Sequence, residues 1–434
     1  MSETSTSADP GDSTVESLGP EDGAPQRGSG LGRAVLDGIV RGNSAVVTLL
    51  AIVIALVLGG LLIALSDPDV QSKFGYFFAD PGSALGAVWD SARAAYVALF
   101  EGSIIDPSLV SAYNSGQGSL SQVFYPISET IVQATPLILA GLSVSLAFRA
   151  GLFNIGAQGQ IIMGAILAGY LGFGIHLPVV LHLIVALAGG FAGGAVWGVV
   201  VGWLKARTGA HEVITTIMLN YVAGLFLLYV LQESVFQRPG RTDLVSRFVP
   251  GNARLPLLAG TGLRLHAGII VALLAALGCA WLLNRSTLGF EFRAVGANAE
   301  AARTAGMSVG RTYILVMLIA GGLAGLASTA QVLGTDYFLS TGVNSELGFN
   351  AITVALLGRA KPWGTVLAGL LFGALQAGGT VMSAQTSTPI DVVTVIQSLI
   401  VVFIAAPPLV RAIFRLRGNR QGAEGQSLSK GWNG

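Results

Sequence analysis

The feature that most constrains this chain is a succession of apolar runs, each about as long as a bilayer is thick. Crossing ~30 Å of hydrocarbon takes about 20 helical residues. Candidate runs occupy 46–65, 126–148, 153–174, 178–204, 213–235, 268–284, 313–334, 347–358, 364–382 and 390–408. Backbone N–H and C=O groups in lipid must pair within their own segment, so the runs predict an all-α polytopic membrane protein with about ten transmembrane helices. The run 347–358 is short, which predicts a tilted, broken or re-entrant segment. Composition supports this class: 11% of the 434 residues are charged, against ~25% in soluble domains. A soluble enzyme, a DNA-binding domain and a disordered regulator are thereby excluded. A net charge of +1 gives no bulk attraction to nucleic acid. Cys279, the sole cysteine, allows neither an intrachain disulfide nor a cysteine zinc cluster.

The transmembrane domain, 46–408, is flanked by two segments of different character. Residues 1–30 are rich in Ser, Gly, Pro and acids, a composition that predicts a disordered tail. Residues 411–434 carry five basic residues and read as a solvated basic tail. Lys and Arg accumulate on the cytoplasmic side of membrane proteins. Arg33, Arg41, Arg149, Lys205, Arg207, Arg285, Arg293, Arg303, Arg311, Arg359 and Lys361 all fall in alternate connections. That places 285–312 and both termini in the cytoplasm, and two loops outside: 66–125, long and mostly acidic with Asp67, Asp69, Asp80, Asp90, Glu101 and Asp106 against Lys73 and Arg93, and 236–267. The second outer loop is anomalous, because it holds Arg238, Arg241, Arg247, Arg254 and Arg264. Either a span is miscounted or these arginines have a task outside; the second reading is retained.

Gly190, Gly194, Gly198 and Gly202 recur every four residues in the fourth run. The spacing predicts a groove that lets another backbone approach closely. Gly156, Gly164, Ala168 and Gly172 form a similar stripe in the third run.

No phosphate cradle of the form G-x-x-x-x-G-K-[ST] is present, since none of Lys73, Lys205, Lys361 and Lys430 follows a glycine. His211 and Glu212 begin an H-E-x-x-H pattern, but Thr215 stands where the second His would be. The chain therefore offers no enzyme chemistry and no cofactor site.

Three polar constellations remain. GLFNIGAQGQ (151–160) opens the third run, and on a helix Asn154 and Gln158 would share a face. In the fifth run Glu212, Thr216 and Asn220 are spaced four apart. For both, the residues allow either the lining of a polar translocation path (Asn154, Gln158, Thr216, Asn220) or interhelical hydrogen bonds that fix packing. The third is GFEFRAVGANAEAARTAG (289–306), in which Asn298 can cap a short helix and Gly306 can end it. Ala301 and Ala302 beside Glu300 and Arg303 suit insertion into a groove of a soluble partner. A helix lying on the lipid surface is the alternative.

Together GLFNIGAQGQ, EVITTIMLNYVAG, FRAVGANAEAARTAG and AGGLAGLA resemble the inner-membrane permeases of bacterial ABC importers of the ribose, nucleoside and branched-chain amino-acid type. The resemblance runs over about 126–410 and is strongest to the nucleoside or simple-sugar subgroup. It implies two inverted repeats and a bacterial cytoplasmic-membrane location. It also implies a second permease subunit, an extracytoplasmic solute-binding lipoprotein, and cytosolic ATPases that use ATP and magnesium. Gly296, Asn298, Glu300, Ala301, Ala302 and Gly306 match the loop that docks into the ATPase. Arg238, Arg241, Arg247 and Arg254 are placed to meet acidic residues of the receptor. Gln158 stands where this subgroup has Glu. The alternative function is a self-sufficient secondary transporter or channel, for which Glu129 and Glu346 are the candidate carboxylates.

Overall fold

The computed structural model describes residues 44–344, 347–386 and 388–414. The expectations for 1–30, for Arg33 and Arg41, for Glu346 and for the tail beyond Phe414 lie outside the described residues.

α1 (Ser44–Ser66) is the first apolar run. The segment after it, expected to be a loop, contains three helices: α2 (Pro68–Phe74), α3 (Pro81–Ser103) and α4 (Pro107–Asn114). All three start at an Asp-Pro pair. Proline at the first helical position has no N–H to leave unpaired, and the preceding Asp caps the helix. Asp67 accepts from the Asp69 N–H at 2.9 Å, Asp80 from Ser83 at 3.2 Å and Asp106 from Ser108 at 2.8 Å. Half of the acids that made this segment look like a solvated loop are thus helix caps. The Ser91 hydroxyl also donates to Asp67 at 2.7 Å and holds that carboxyl below the usual range. α3 then packs into the bundle, where the Tyr96 hydroxyl donates to the Leu56 carbonyl of α1.

Seven of the ten predicted runs are helices long and apolar enough to cross a membrane: α1, α5 (Leu120–Arg149), α7 (Val179–Thr208), α8 (Glu212–Gln232), α9 (Gly268–Arg285), α12 (Val309–Val332) and α14 (Pro362–Thr386). The last predicted run is a broken pair. α15 (Asp391–Ala405) and α16 (Pro407–Ile413) meet at 92°, because Pro407 and Pro408 cannot donate to the preceding turn. The other two runs are α6 (Ala157–Gly174), whose first turns carry Gln158 and Gln160, and the short α13 (Leu347–Leu357). Among the described residues there are no strands, only three isolated bridges.

Burial orders the bundle. The most apolar windows of α5 and α12 are 78% and 67% buried, whereas those of α8 and α9 are 22% and 28% buried. α5 and α12 therefore form the centre, and α8 and α9 face outward. The tightest interface joins α7 to α12. A Cβ built on Gly194 would collide with the Gly321 carbonyl oxygen, and one on Gly198 with that of Met317. Gly164 of α6 abuts Gly325 and Gly190, so three backbones converge. The fourth-run stripe hence has an identified partner in α12, at and before its AGGLAGLA run; of the third-run stripe Gly164 reaches that run, whereas Gly156 meets Thr216 and Gly172 meets Val249 and Leu333.

Candidate functional site

The amide cluster opening α6 comes first. The helix begins at Ala157, with Gly151 at φ 71° and 152–156 outside it. Asn154 and Gln158 therefore do not share a helix face, contrary to the expectation. The Gly151 turn and the irregular stretch behind it delay the helix, and Asn154 pairs with Gln160 instead. Asn154 Nδ2 donates to Gln160 Oε1 at 2.9 Å and to Ser143 Oγ at 3.2 Å; Gln160 Nε2 returns a bond to Asn154 Oδ1 at 3.2 Å. Gln158 Nε2 donates to the Val343 carbonyl at 3.2 Å, and its Oε1 accepts from the Gly348 N–H at 2.7 Å. Asn220 reaches from α8 to the same turn, donating to the Ile155 carbonyl at 3.0 Å and accepting from the Gly159 N–H at 2.8 Å. Thr216 is buried, bonded to the Val213 carbonyl within its own helix, and packs on Gly156. Glu212, at the start of α8, pairs with Lys205 at 2.7 Å. In this conformation the clustered amides bond to the protein and pin α6, α8 and α13 together. A buried backbone group left unpaired costs ~1–3 kcal/mol, so each bond fixes its element firmly.

The polar cavity lies elsewhere. It has a volume of about 530 Å³, within the range of small-molecule sites. Its walls come from distant parts of the chain: Gln133 on α5, Gln331 at the end of α12, Asn350 on α13 and Gln376 on α14, with Asp336 and Arg264. The amides of Gln133, Asn350 and Gln376 make no side-chain hydrogen bond among the described residues, so they are open to a ligand. Arg264 forms an ion pair with Glu129 at 3.1 Å. Glu129, the candidate carboxylate of the secondary-transporter alternative, is thus matched by a fixed cation. These lining residues were missed by sequence reasoning. The available signal was that Gln133 and Gln376 are the sole side-chain amides of the runs 126–148 and 364–382.

The third constellation forms as expected. α10 (Thr287–Ala297) is capped by Ser286, which accepts from the Gly289 N–H at 2.9 Å. α11 (Ala299–Thr304) is capped by Asn298, which accepts from the Ala301 N–H at 3.0 Å. Gly306, at φ 86°, ends it, and the Met307 N–H donates to the Ala302 carbonyl at 3.0 Å; this is the closure favoured by a left-handed glycine. Ala302 is buried against Val295 and Val309. Glu300, Ala301 and Arg303 are exposed, and Glu300 pairs with Arg303 at 3.0 Å. Gly296 lies on the Arg149 and Ala150 backbone, and Gly151 lies over Gly296. The exposed loop is thereby clamped to the turn that leads into the amide cluster.

At the opposite end, the segment 236–267 folds onto 333–340. Ser246 donates its N–H to the Leu339 carbonyl at 2.8 Å, and Val249 to Tyr337 at 2.8 Å. Arg238 stacks on Phe248 at 3.6 Å and on Phe338 at 4.9 Å; Arg254 stacks on Tyr337 at 4.3 Å. These two arginines hold the segment together. Arg241 and Arg247 are exposed, Arg241 pairing with Asp243 at 2.6 Å and Arg247 donating to the Ser234 carbonyl at 2.9 Å.

Comparison with known proteins bears on this arrangement. The family described as branched-chain amino acid transport system / permease component matches residues 127–405. The guanosine ABC transporter permease protein NupP of Bacillus subtilis is 40% identical over 309 residues, covering 70% of this chain and 88% of the relative. The nucleoside ABC transporter permease protein NupB of Lactococcus lactis is 36% identical, covering 64% and 79%. The glucose ABC transporter permease protein TsgB13 of Haloferax volcanii is 34% identical, covering 71% and 84%. No solved structure gives a significant match.

Proposed function

The chain belongs to the branched-chain amino acid transport system permease family, and from that premise we propose that its amide-lined cavity passes a nucleoside or simple sugar across the bacterial cytoplasmic membrane. It is a non-enzymatic permease component of an ABC importer, a multi-pass membrane protein. The cavity is the observation that carries the solute class. Unpaired amides both donate and accept hydrogen bonds, which suits a neutral solute with many N–H and O–H groups, and they bind it less tightly than buried charges would. The relatives named for guanosine, nucleosides and glucose support the same class.

In this reading the α10–α11 loop faces the cytoplasm and docks into a partner ATPase, which binds ATP and magnesium. Arg149 supports that sidedness, donating to the Ala360 carbonyl at 2.8 Å and so joining two of the basic connections at one end. A second permease subunit completes the membrane part, lipid surrounds it, and a receptor lipoprotein delivers solute to the opposite end. ATPase closure moves the loop, and the clamp at Gly296 passes that motion toward α6 and α13. The bundle switches between outward and inward access by population shift between two packings.

Proteoliposomes containing the permeases, with and without the ATPase, test this. Radiolabelled guanosine should enter only with ATPase, receptor and ATP. Gln133→Leu with Gln376→Leu should cut uptake about tenfold, the loss of roughly one good hydrogen bond to solute. Gradient-driven uptake by the permease alone would overturn the proposal in favour of a secondary transporter.

For the receptor, the exposed Arg241 and Arg247 are the proposed contacts, with Arg238 and Arg254 supporting them from within the fold. Arg241→Glu with Arg247→Glu should slow receptor association about tenfold and flatten its salt dependence, as for other rim charges. Receptor binding with wild-type kinetics in that double variant would rule the surface out.

A further inference from the structure

Among the described residues, the walls of the cavity contain one carboxylate, Asp336, and one cation, Arg264. Arg264 is committed to Glu129. Asp336 has no ion pair among the described residues. Its backbone is fixed on both sides. The Thr335 and Asp336 N–H groups both donate to the Gln331 carbonyl, at 3.1 and 2.9 Å. The following Tyr337 sits at φ 60°, its carbonyl bonded to Val249 and its ring under Arg254. Burial pushes the Asp336 carboxyl above its ordinary range, opposed in part by the nearby Gln331 amide and by the charge of Arg264. A partly buried carboxylate with no direct ion pair, under only the more distant charge of Arg264, is unfavourable for the protein alone.

The neighbouring amides both donate and accept, but a carboxylate only accepts. Two of its lone-pair sites can take two adjacent donors at once, the geometry offered by a vicinal diol or by neighbouring N–H groups of a purine. The same charge repels a phosphate brought into a confined, weakly screened space.

We infer that Asp336 is the specificity-determining residue of the cavity, accepting a pair of adjacent donors from an uncharged solute and excluding the phosphorylated form of that solute. The inference rests on the reading that the cavity is the solute site, and its test separates the two.

The assembled importer in proteoliposomes, without receptor, carries a thiol reporter at Leu347→Cys in a Cys279→Ala background. Cys279 is the sole native cysteine. The rate of labelling by a membrane-impermeant maleimide reports occupancy of the cavity. With Asp336 intact, guanosine should slow labelling and guanosine 5′-monophosphate should not. In Asp336→Asn, half-protection should need about tenfold more guanosine, and the monophosphate should protect as well as the nucleoside. Asp336→Glu, which keeps the charge, should keep the exclusion, and protection of the Asn variant by the monophosphate shows that its site is still formed. Unchanged selectivity in Asp336→Asn, or lost exclusion in Asp336→Glu, overturns the role of Asp336 alone. Absence of guanosine protection with Asp336 intact overturns the assignment of the cavity, and this inference with it.

Discussion

Gly194→Leu is expected to remove the folded permease from the membrane, whereas Gly278→Leu leaves it intact. Both replace a glycine inside a membrane-spanning helix, so propensity and hydrophobicity change alike. The surroundings differ. A Cβ on Gly194 would collide with the Gly321 carbonyl oxygen and with the backbone of Gly325, while one on Gly278 has nothing within 4 Å. The obstructing atoms at Gly194 are backbone in a rigid helix, so they cannot rotate away as a long side chain could. Relief requires α7 and α12 to separate, and separation also opens the contacts of Gly190, Gly198 and Gly325 along the same seam. Association of helices in lipid depends on such close packing, and the cost exceeds about 4 kcal/mol, the range of severe core disruption. Gly278→Leu stays within about 0.5 kcal/mol. Membrane accumulation and monodispersity in detergent, measured side by side, check both. Normal accumulation of Gly194→Leu would show that the α7–α12 seam is not the structural axis described here.

One side of that seam was legible because a four-residue repeat of glycine has one reading in a membrane helix; its partner, the AGGLAGLA run, was not, because nothing local pairs two runs so far apart in the chain. The bounds of α11 were legible because Asn298 and Gly306 act on their own neighbours. The cavity was not. Gln133, Gln331, Asn350 and Gln376 stand on four helices, each a single amide with no second amide at helical spacing. The conspicuous cluster at 154–160 drew attention because its amides are close in sequence, and that closeness lets Asn154 and Gln160 bond each other. In an apolar bundle an amide near others is satisfied by them, and a solitary amide has to look across the fold for its partner. The acidic segment 66–125 misled in another way. Counting acids hid the repeated Asp-Pro pair, which marks three helix starts.

Glu300→Arg and Gly306→Pro are each expected to reduce ATP-driven uptake at least tenfold, through different steps. Glu300 is exposed, and its helix-internal pair with Arg303 is of the exposed kind that contributes only a few tenths of a kcal/mol. Reversing its charge therefore leaves the permease folded and alters only the face that meets the ATPase. Gly306 holds φ at 86°, which the proline ring, fixed near −65°, cannot adopt; the substitution also removes the N–H that bonds the Arg303 carbonyl at 2.9 Å. The end of α11 then unravels, and Ala302 leaves its seat between Val295 and Val309. The seat lies next to Gly296, which is clamped to the Arg149–Ala150 backbone, and Gly151 leads from there to Asn154. Asn154 holds Gln160 on α6, and Gln158 of the same helix holds Gly348, beside the cavity residue Leu347. A rigid run of backbone contacts and buried hydrogen bonds thus connects the docking face to the cavity wall. Glu300→Arg should weaken ATPase association; Gly306→Pro should leave the ATPase bound but its hydrolysis unresponsive to solute-loaded receptor. Copurification separates the first effect, and receptor-stimulated hydrolysis the second. Wild-type coupling in both variants would mean that the motor engages the permease somewhere other than α11.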